Sequence, residues 1–391
     1  MNKKEDKKVS TPLPHREGHG GESSVGKPSR LLSLDVLRGI TVAGMILVND
    51  GYGETYAPLQ HAKWNGMTPC DLVFPFFLFI MGISTYLSLR KFNFRWSPQV
   101  GRKILKRTLV IFFIGLFINW FDLACDGRAF DFAHLRIWAV MQRIALCYCA
   151  ASLFALFVNH RYTLPTVAVL LIGYAVILLY GNGYAYDETN ILARVDLSLF
   201  GYDHLYHKSP VDPEGLLGTI PAIAHTLLGF YACKLMMESK DTAEKVMRFL
   251  LFGAVMVFIA YLFTYLLPLN KRIWSPTYVL MTCGLCSMLQ GILMYVIDIK
   301  GSKRWTMPFL VFGVNPLFLY VFSELLAIVF GYTGIGALIY NAIVAVLSPL
   351  SSFLSPLSLP EFESLAYAVT FTLICFLVGY PLYKRNIYIK I

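Results

Sequence analysis

Residues 72–90 read LVFPFFLFIMGISTYLSLR, an apolar run with no charged residue before Arg90. As an α-helix with a rise of 1.5 Å per residue, this run is long enough to cross the roughly 30 Å hydrocarbon core of a bilayer. Similar runs recur along the 391 residues, which are 56% hydrophobic and only 15% charged. Soluble domains carry about 25% charged residues. We therefore predict a polytopic membrane protein, and the composition argues against a soluble enzyme, a disordered chain and a nucleic-acid binder.

Ten spanning helices and an all-α fold are predicted from these runs. The spans cover residues 31–48, 72–90, 104–121, 136–158, 163–180, 216–235, 248–267, 278–298, 308–330 and 365–383. A further apolar stretch, 335–347, is too short to cross comfortably and is followed by Pro349, Pro356 and Pro360, so we interpret it as a re-entrant or interfacial segment.

The distribution of Lys and Arg predicts the orientation of the chain. With both termini in the cytoplasm, the inner segments carry 25 of these residues and the outer segments seven, as the positive-inside rule requires. Residues 1–30 are polar and are predicted to be a disordered cytoplasmic tail. Residues 31–391 then form a single transmembrane domain.

The eight cysteines are not spaced as a disulfide framework. Six of them lie inside apolar runs, where small apolar side chains pack between helices. Cys70 and Cys125 lie near the ends of such runs, and the sequence does not decide whether they meet. The sequence contains no zinc signature, glycine-rich phosphate loop or serine elbow at a convincing spacing, and no metal site is expected.

The loop between the first two spans concentrates polar residues beside the predicted membrane surface. It contains Asn49, Asp50, His61, Asn65 and Asp71. An imidazole here can take a proton from an amine or accept an acyl group. A nearby carboxylate can orient the ring, and a nearby amide can stabilise an oxyanion. An interfacial histidine with an aromatic neighbour is the other interpretation that the residues allow.

Two spans are expected to be broken by proline. Pro75 lies inside the second apolar run, and Asn315-Pro316 interrupts the ninth. Such breaks are tolerated where a helix lines a cavity or is buried in protein. Gly39, Gly44 and Gly82 favour close approach of helix backbones.

Charged residues near the spans suggest two further features. The inner loop after the second span holds seven basic residues, including Arg102, Lys103, Lys106 and Arg107, which can bind the phosphates of a cofactor or anionic lipid, or simply set the topology. Arg136 and Arg143 are seven residues apart, which predicts that they share one face of the fourth helix.

An ordered series of motifs resembles the transmembrane acyltransferase family typified by heparan-α-glucosaminide N-acetyltransferase. The motifs are LDVLRG at 34–39, VN at 48–49, HAKWNG at 61–66, DLVFPF at 71–76, QRIA at 142–145, DPEGLL at 212–217, NKRIW at 270–274 and FGVNP at 312–316. The resemblance covers essentially everything after residue 30.

This resemblance implies an enzyme that moves an acetyl group from cytosolic acetyl-CoA to an amino sugar across the membrane. The family's active histidine falls on His61 and its neighbouring asparagine on Asn49. We expect Asp50 or Asp71 to orient His61. The CoA phosphates are assigned to Arg38, Arg102, Lys103, Lys106, Arg107 and Asn315, and the acceptor to Trp64, Asn65, Asp212, Glu214, Asn270 and Lys271.

Two other functions stay open at the level of sequence. An O-acetyltransferase for envelope polysaccharide would use the same donor, and a sugar transporter would use the broken helices without CoA chemistry. We expect the chain in the bilayer of a bacterial inner membrane, with acetyl-CoA and an amino sugar or oligosaccharide as partners, no nucleic acid, and a second copy of the chain as a homodimer.

Overall fold

The computed structural model describes residues 31–206, 209–350 and 359–389, and every extended regular element in these ranges is a helix. The predicted disordered tail, residues 1–30, lies outside the described residues. The α-helices are α1 (Leu32–Asn49), α2 (Val73–Arg90), α3 (Pro98–Cys125), α4 (Val140–Phe157), α5 (Thr163–Tyr180), α6 (Ile191–Phe200), α7 (Thr219–Met237), α8 (Thr242–Phe263), α9 (Pro276–Leu293), α10 (Met307–Val314), α11 (Pro316–Thr333), α12 (Ile335–Leu347) and α13 (Leu359–Lys384).

Ten helical segments in the described part of the chain are long and apolar enough to cross a membrane, which confirms the predicted number and the all-α class. Each corresponds to one predicted span, although some boundaries differ. The third helix is longer than predicted, because the Ser97 side chain caps its first turn and Pro98 fits the first helical position.

The fourth helix begins later than predicted, at Val140. Arg136 therefore precedes the helix, and the prediction that Arg136 and Arg143 share one helix face is wrong. The reason is electrostatic, since Arg136 lies in the loop and pairs with Asp212 and Glu214. Arg143 is on α4 and is buried, and it donates a hydrogen bond to the backbone oxygen of Gly215 at 3.0 Å.

The predicted break at Asn315-Pro316 separates α10 from α11. At this break the Asn315 side chain bonds the segment that follows α13. It donates to the Ile387 oxygen at 2.9 Å and accepts from the Ile389 amide at 2.8 Å. The predicted break at Pro75 is wrong, because α2 begins at Val73 and Pro75 lies in its first turn, where no backbone hydrogen bond is lost. The stretch at 335–347 forms the 13-residue helix α12, which is shorter than a membrane-crossing helix.

Glycines set two close helix contacts at the centre of the bundle. A methyl group added to Gly82 of α2 would lie 2.0 Å from the Thr226 oxygen of α7, and one added to Gly229 of α7 would lie 2.0 Å from the Phe79 oxygen of α2. Gly39 of α1 meets the Phe309 oxygen of α10 in the same way, at 1.8 Å. Backbones this close leave no room for any side chain, so the predicted role of Gly39 and Gly82 is confirmed.

All eight cysteines are free thiols, and most of them are buried. This agrees with the prediction that they do not form a disulfide framework.

Candidate active site

A histidine–carboxylate pair lies just before α2. Nδ1 of His61 is 2.8 Å from Oδ1 of Asp71, with 48% of the histidine side chain exposed and the aspartate fully buried. Lys271 joins the pair, since its Nζ lies 2.9 Å from His61 Nδ1, 3.3 Å from His61 Nε2 and 3.3 Å from Asp71 Oδ1. We refer to His61, Asp71 and Lys271 as the histidine cluster.

A capped turn holds Asp71 in place. Thr68 precedes the short 3₁₀ helix Pro69–Leu72 that leads into α2, and it forms a capping box with Asp71. Asp71 Oδ2 accepts hydrogen bonds from the amides of Ala62 and Thr68 at 3.1 and 3.0 Å and from the Thr68 hydroxyl at 3.1 Å. These donors occupy one carboxylate oxygen and leave the other for the histidine cluster.

A second loop brings Lys271 from a distant part of the sequence. The Gly66 amide donates to the Leu269 oxygen at 2.8 Å, and the Asn270 side chain donates to Asn65 Oδ1 at 3.2 Å. The loop itself is fixed by Ser275, which caps α9. Asn65, Asn270 and Lys271, all predicted to bind the acceptor, are therefore brought together beside His61.

Cys70 is a neighbour of His61 that the sequence analysis missed. Its Sγ lies 3.0 Å from His61 Nδ1, and the residue is only 1% exposed. At the end of an apolar run a cysteine is typical of packing, so nothing in the local pattern singled it out. Its position directly before Asp71 was the signal available.

Trp64 is packed at the edge of the cluster. Its indole N–H donates to the Tyr184 oxygen at 2.8 Å, and its ring centroid lies 4.8 Å from that of Tyr186. These contacts leave an aromatic surface next to the loop that carries His61, of the kind that packs against the apolar faces of ligands.

Asp212 and Glu214 form an acidic pair around Arg136. The Arg136 Nη2 atom lies 2.9 Å from Asp212 and 3.0 Å from Glu214. Burial alone would raise the pKa of Glu214, but Arg136, together with other cations including Lys271, holds that pKa below its ordinary value. Because Lys271 acts on both Glu214 and the histidine cluster, the acidic pair lies within electrostatic reach of that cluster.

Asn49 and Asp50 lie elsewhere, in a cavity of about 250 Å³ that also includes residues of α11, α12 and α13. In the residues that the structure describes, no contact joins them to His61. Burial, followed by repulsion from Glu324, raises the pKa of Asp50 to about 8. Glu324 also has Asn49 and Tyr320 as hydrogen-bonding neighbours, and Tyr320 is within electrostatic range of Glu214. We refer to the cavity beside Asn49 and Asp50 as the Asp50 cavity.

Two of the residues predicted to bind the CoA phosphates, Arg38 and Arg107, lie at one cavity between the helices. Arg38 and Arg107 line a cavity of about 60 Å³, here called the arginine cavity, between α1, α2, α3, α4 and α11. Arg38 bonds Ser84 at 3.0 Å. Ser84 lies 11 residues beyond Val73 at the start of α2, or about 16 Å along the helix, so this cavity is far from the end that carries Asp71.

The other basic residues predicted to bind phosphate do not enter this cavity. Arg102, Lys103 and Lys106 are exposed on α3, and Lys103 contacts Ser88 and the Phe92 ring. Asn315 is engaged with the end of the chain, and its neighbour Pro316 lines the cavity. A ligand role for these four residues stays a prediction.

The arrangement at the histidine cluster suits proton transfer. When the His61 Nδ1–H donates to Asp71, Nε2 carries the lone pair that accepts a proton once the Lys271 ammonium, 3.3 Å away, has moved off it. The nearby Lys271 ammonium can then stabilise negative charge on a reacting oxygen. A proton acceptor and a cation that can stabilise an oxyanion, both needed for acyl transfer, are thus present at one place.

Comparisons with known proteins point to one family. The family model described as heparan-alpha-glucosaminide N-acetyltransferase, catalytic, matches residues 30–269. This range includes His61, Asp71 and Arg136 with its acidic partners. Human heparan-alpha-glucosaminide N-acetyltransferase is 30% identical over 355 residues, covering 76% of this chain and 53% of that protein. The mouse protein is 28% identical over 363 residues, covering 78% and 55%.

The chain spans about half the length of the curated relatives it matches. The family match nevertheless covers more than half of the chain and contains the histidine cluster except for Lys271, which follows two residues after the match ends. The chain therefore belongs to the family of the heparan-α-glucosaminide N-acetyltransferase catalytic domain.

Proposed function

We propose that this chain transfers an acetyl group from cytosolic acetyl-CoA to an amino sugar of the glucosamine type on the opposite side of the membrane. The observation that carries the proposal is His61, held between a buried carboxylate and a lysine at one end of a membrane-spanning bundle. The family match supports acyl transfer, and the human and mouse relatives are named for a glucosaminide acceptor.

Charge assigns the two substrates to opposite faces. CoA is polyanionic and does not cross a bilayer, and a charged amino sugar does not cross either. The positive-inside bias puts the beginning of α1 and of α3 in the cytoplasm. The arginine cavity is nearer that face, so Arg38 and Arg107 bind the donor, while the histidine cluster faces the acceptor.

The chemistry requires a base and a means of stabilising the oxyanion. Asp71 fixes the ring of His61, and Nε2 removes the proton from the attacking amine. Lys271 stabilises the developing oxyanion, a contribution of roughly 3 kcal/mol for one such donor. Asn49 supplies a further donor if the Asp50 cavity opens toward the thioester. The same ring is able to carry the acetyl group as acetyl-imidazole, and accumulation of labelled His61 with donor alone would favour that two-step route.

Donor binding requires the bundle to open. The arginine cavity, about 60 Å³, is much smaller than the roughly 300–1,000 Å³ typical of small-molecule sites. The junction between α10 and α11 is the natural place for movement, because backbone hydrogen bonding is already interrupted there. Opening at this junction would admit the pantetheine arm between the first, second and ninth spans.

The acceptor side combines aromatic and acidic groups. Trp64 offers a face for a sugar ring, and the exposed Asn65 offers hydrogen bonds. Asn270 and Asp212 are buried and already paired, so they hold the loops of the acceptor side, and Glu214 adds negative charge there. We further propose that the chain lies in a bacterial inner membrane and that it forms a homodimer. A hydroxyl acceptor would make it an O-acetyltransferase with the same donor.

The proposal is tested by labelled-acetyl transfer in proteoliposomes, with acetyl-CoA on one face and glucosamine on the other. Loss of the catalytic base in His61→Ala is expected to reduce transfer by about 10²-fold or more. His134→Ala is the matched control, because His134 is also paired with an aspartate, at 2.7 Å, but on an exposed loop. Equal activity of the two variants would overturn the proposed role of His61.

Two further arms separate the alternatives. N-acetylglucosamine in place of glucosamine leaves only hydroxyl acceptors, so full transfer to it would indicate O-acetylation. Thermal stabilisation of the purified protein by sugar but not by CoA would favour a transporter.

A further inference from the structure

Three side chains at the candidate site carry metal-binding atoms. They are the imidazole of His61, the thiol of Cys70 and the carboxylate of Asp71. His61 Nδ1 is 3.0 Å from Cys70 Sγ and 2.8 Å from Asp71 Oδ1, and the three ligand atoms all lie within 4.8 Å of one another. Bond lengths of about 2.0–2.3 Å put the ligand atoms of a tetrahedral zinc ion about 3.4–3.7 Å apart. The two short separations need to widen by less than about 1 Å.

The carboxylate is already oriented as a ligand. Its Oδ2 is held by the amides of Ala62 and Thr68 and by the Thr68 hydroxyl, so Oδ1 points at His61. Hydrogen bonds to the non-ligating atoms of metal ligands commonly fix such groups and strengthen binding.

A positive charge already occupies this place. The Lys271 ammonium lies 2.9 Å from His61 Nδ1 and 3.3 Å from Asp71 Oδ1, beside two of the three ligand atoms. A metal ion and this ammonium would repel each other and compete for the same lone pairs. The long, flexible lysine stem allows the ammonium to leave.

We propose that His61, Cys70 and Asp71 bind a soft divalent cation, Zn²⁺ or Cd²⁺, in exchange for the Lys271 ammonium. Nitrogen and sulfur ligands select such ions over Mg²⁺ and Ca²⁺. On binding, the Cys70 thiol loses its proton to solvent and forms the metal–sulfur bond, and the neutral imidazole and the ionised carboxylate supply the other two ligands. Water completes the fourth position. The exposed edge of His61, 48% of its side chain, is the route of access.

Metal binding switches acyl transfer off, because it separates His61 from Asp71 and removes Lys271 from the reacting centre. This consequence rests on the proposed function, whereas metal binding itself does not. No metal site was expected from the sequence, because it contains no zinc signature at a convincing spacing.

Binding is tested first, with the purified full-length chain titrated with Co²⁺ as a spectroscopic stand-in for Zn²⁺. The wild type is expected to develop thiolate-to-cobalt charge-transfer absorption that Zn²⁺ abolishes. Cys70→Ser and Cys70→Ala should lose this absorption and bind at least about 10-fold more weakly. Cys125→Ala, a control at a free thiol, should behave as the wild type. Unchanged absorption in correctly folded Cys70 variants, judged by their thermal midpoints, would overturn the site.

The exchange with lysine gives a second binding test. Lys271→Ala should bind Co²⁺ more tightly than the wild type, because the competing ammonium is gone. Unchanged or weaker binding would contradict the proposed position of the ion.

The effect on transfer is measured as the fraction of each protein's own metal-free rate that remains in Zn²⁺. This fraction should be low for the wild type and close to one for Cys70→Ala. Equal inhibition of both would contradict a switch at this site. A protein without transferase activity would refute the proposed function, while the Co²⁺ titration would still decide the metal site.

Discussion

The two polar centres of the bundle are built in opposite ways. In the histidine cluster, the buried Asp71 carboxylate has a partner for each oxygen, and Lys271 contacts both other members. In the arginine cavity, Arg107 stacks on Tyr148 at 4.6 Å but its buried Nε has no hydrogen-bond partner among the described residues. The first centre is organised before any substrate arrives. In the second, Arg38 is paired with Asp35 and Ser84, whereas Arg107 keeps an unused donor. The comparison suggests that chemistry occurs at the first and donor capture at the second.

The strongest test of this difference removes the charge of the organised centre. Asp71→Asn keeps the shape of the side chain but weakens its hold on the ring of His61, so kcat for acetyl transfer should fall by about 10²-fold or more. Asp131→Asn, which alters the exposed partner of His134, should leave kcat unchanged. Equal effects in the two variants, measured in steady-state assays, would remove the distinction between a buried, organised pair and a surface pair.

The arginine cavity is tested by its affinity for the donor. Arg107→Ala should raise KM for acetyl-CoA about 10-fold, the loss expected for charge-assisted hydrogen bonds to phosphate. Lys106→Ala is the matched control, one residue away on α3 and exposed. If Lys106→Ala has the larger effect, the phosphates bind the surface of α3 and not the cavity.

The helix that joins the two centres, α2, packs closely against α7. Gly229→Ala introduces a methyl group 2.0 Å from the Phe79 oxygen and should destabilise the protein by about 1–3 kcal/mol. Gly173→Ala on α5 meets nothing within 4 Å and should be neutral or slightly stabilising. Thermal midpoints in detergent measure both. A stable Gly229→Ala protein would contradict the tight contact.

A further test concerns Asp50, which belongs to neither centre. Its pKa is raised from 3.8 to about 8. Between these pH values the unfolded chain has lost a proton that the folded chain keeps, so stability falls as pH rises and levels off above about pH 8. Asp50→Asn removes this dependence. Its gain in thermal midpoint over the wild type should therefore increase from about pH 5 to about pH 8, and a constant difference would disprove the buried, protonated carboxyl.

Local pattern was enough to predict the helical architecture. Apolar runs of spanning length require helices, since a bilayer leaves no other partner for backbone groups. The break at Asn315 and the close contacts of Gly39 and Gly82 follow from the chemistry of single residues. The start of α4 was misplaced because the apolar run continues upstream, while the distant acids Asp212 and Glu214 hold Arg136 outside the helix.

Proximity between distant segments was beyond the reach of the sequence. His61 and Asp71 are ten residues apart, and their pairing was among the alternatives considered. Lys271 reaches them only because the Gly66 amide bonds the Leu269 oxygen, a contact between loops that no periodicity encodes. Asn49 and Asp50 are close to His61 in sequence, yet the structure turns them toward α11 and α13.

The hydrogen bonds of Asn315 with Ile387 and Ile389 have a practical consequence for expression of this protein. Ile387 and Ile389 are hydrogen-bonded to Asn315, the residue before Pro316. Pro316 lines the arginine cavity. A tag or fluorescent protein fused directly after residue 391 lies two residues from the Ile389 contact, next to the junction where the donor is proposed to enter. Donor affinities are best measured with the tag at the amino end, and a difference between the two placements would itself report mechanical linkage between the tail and the cavity.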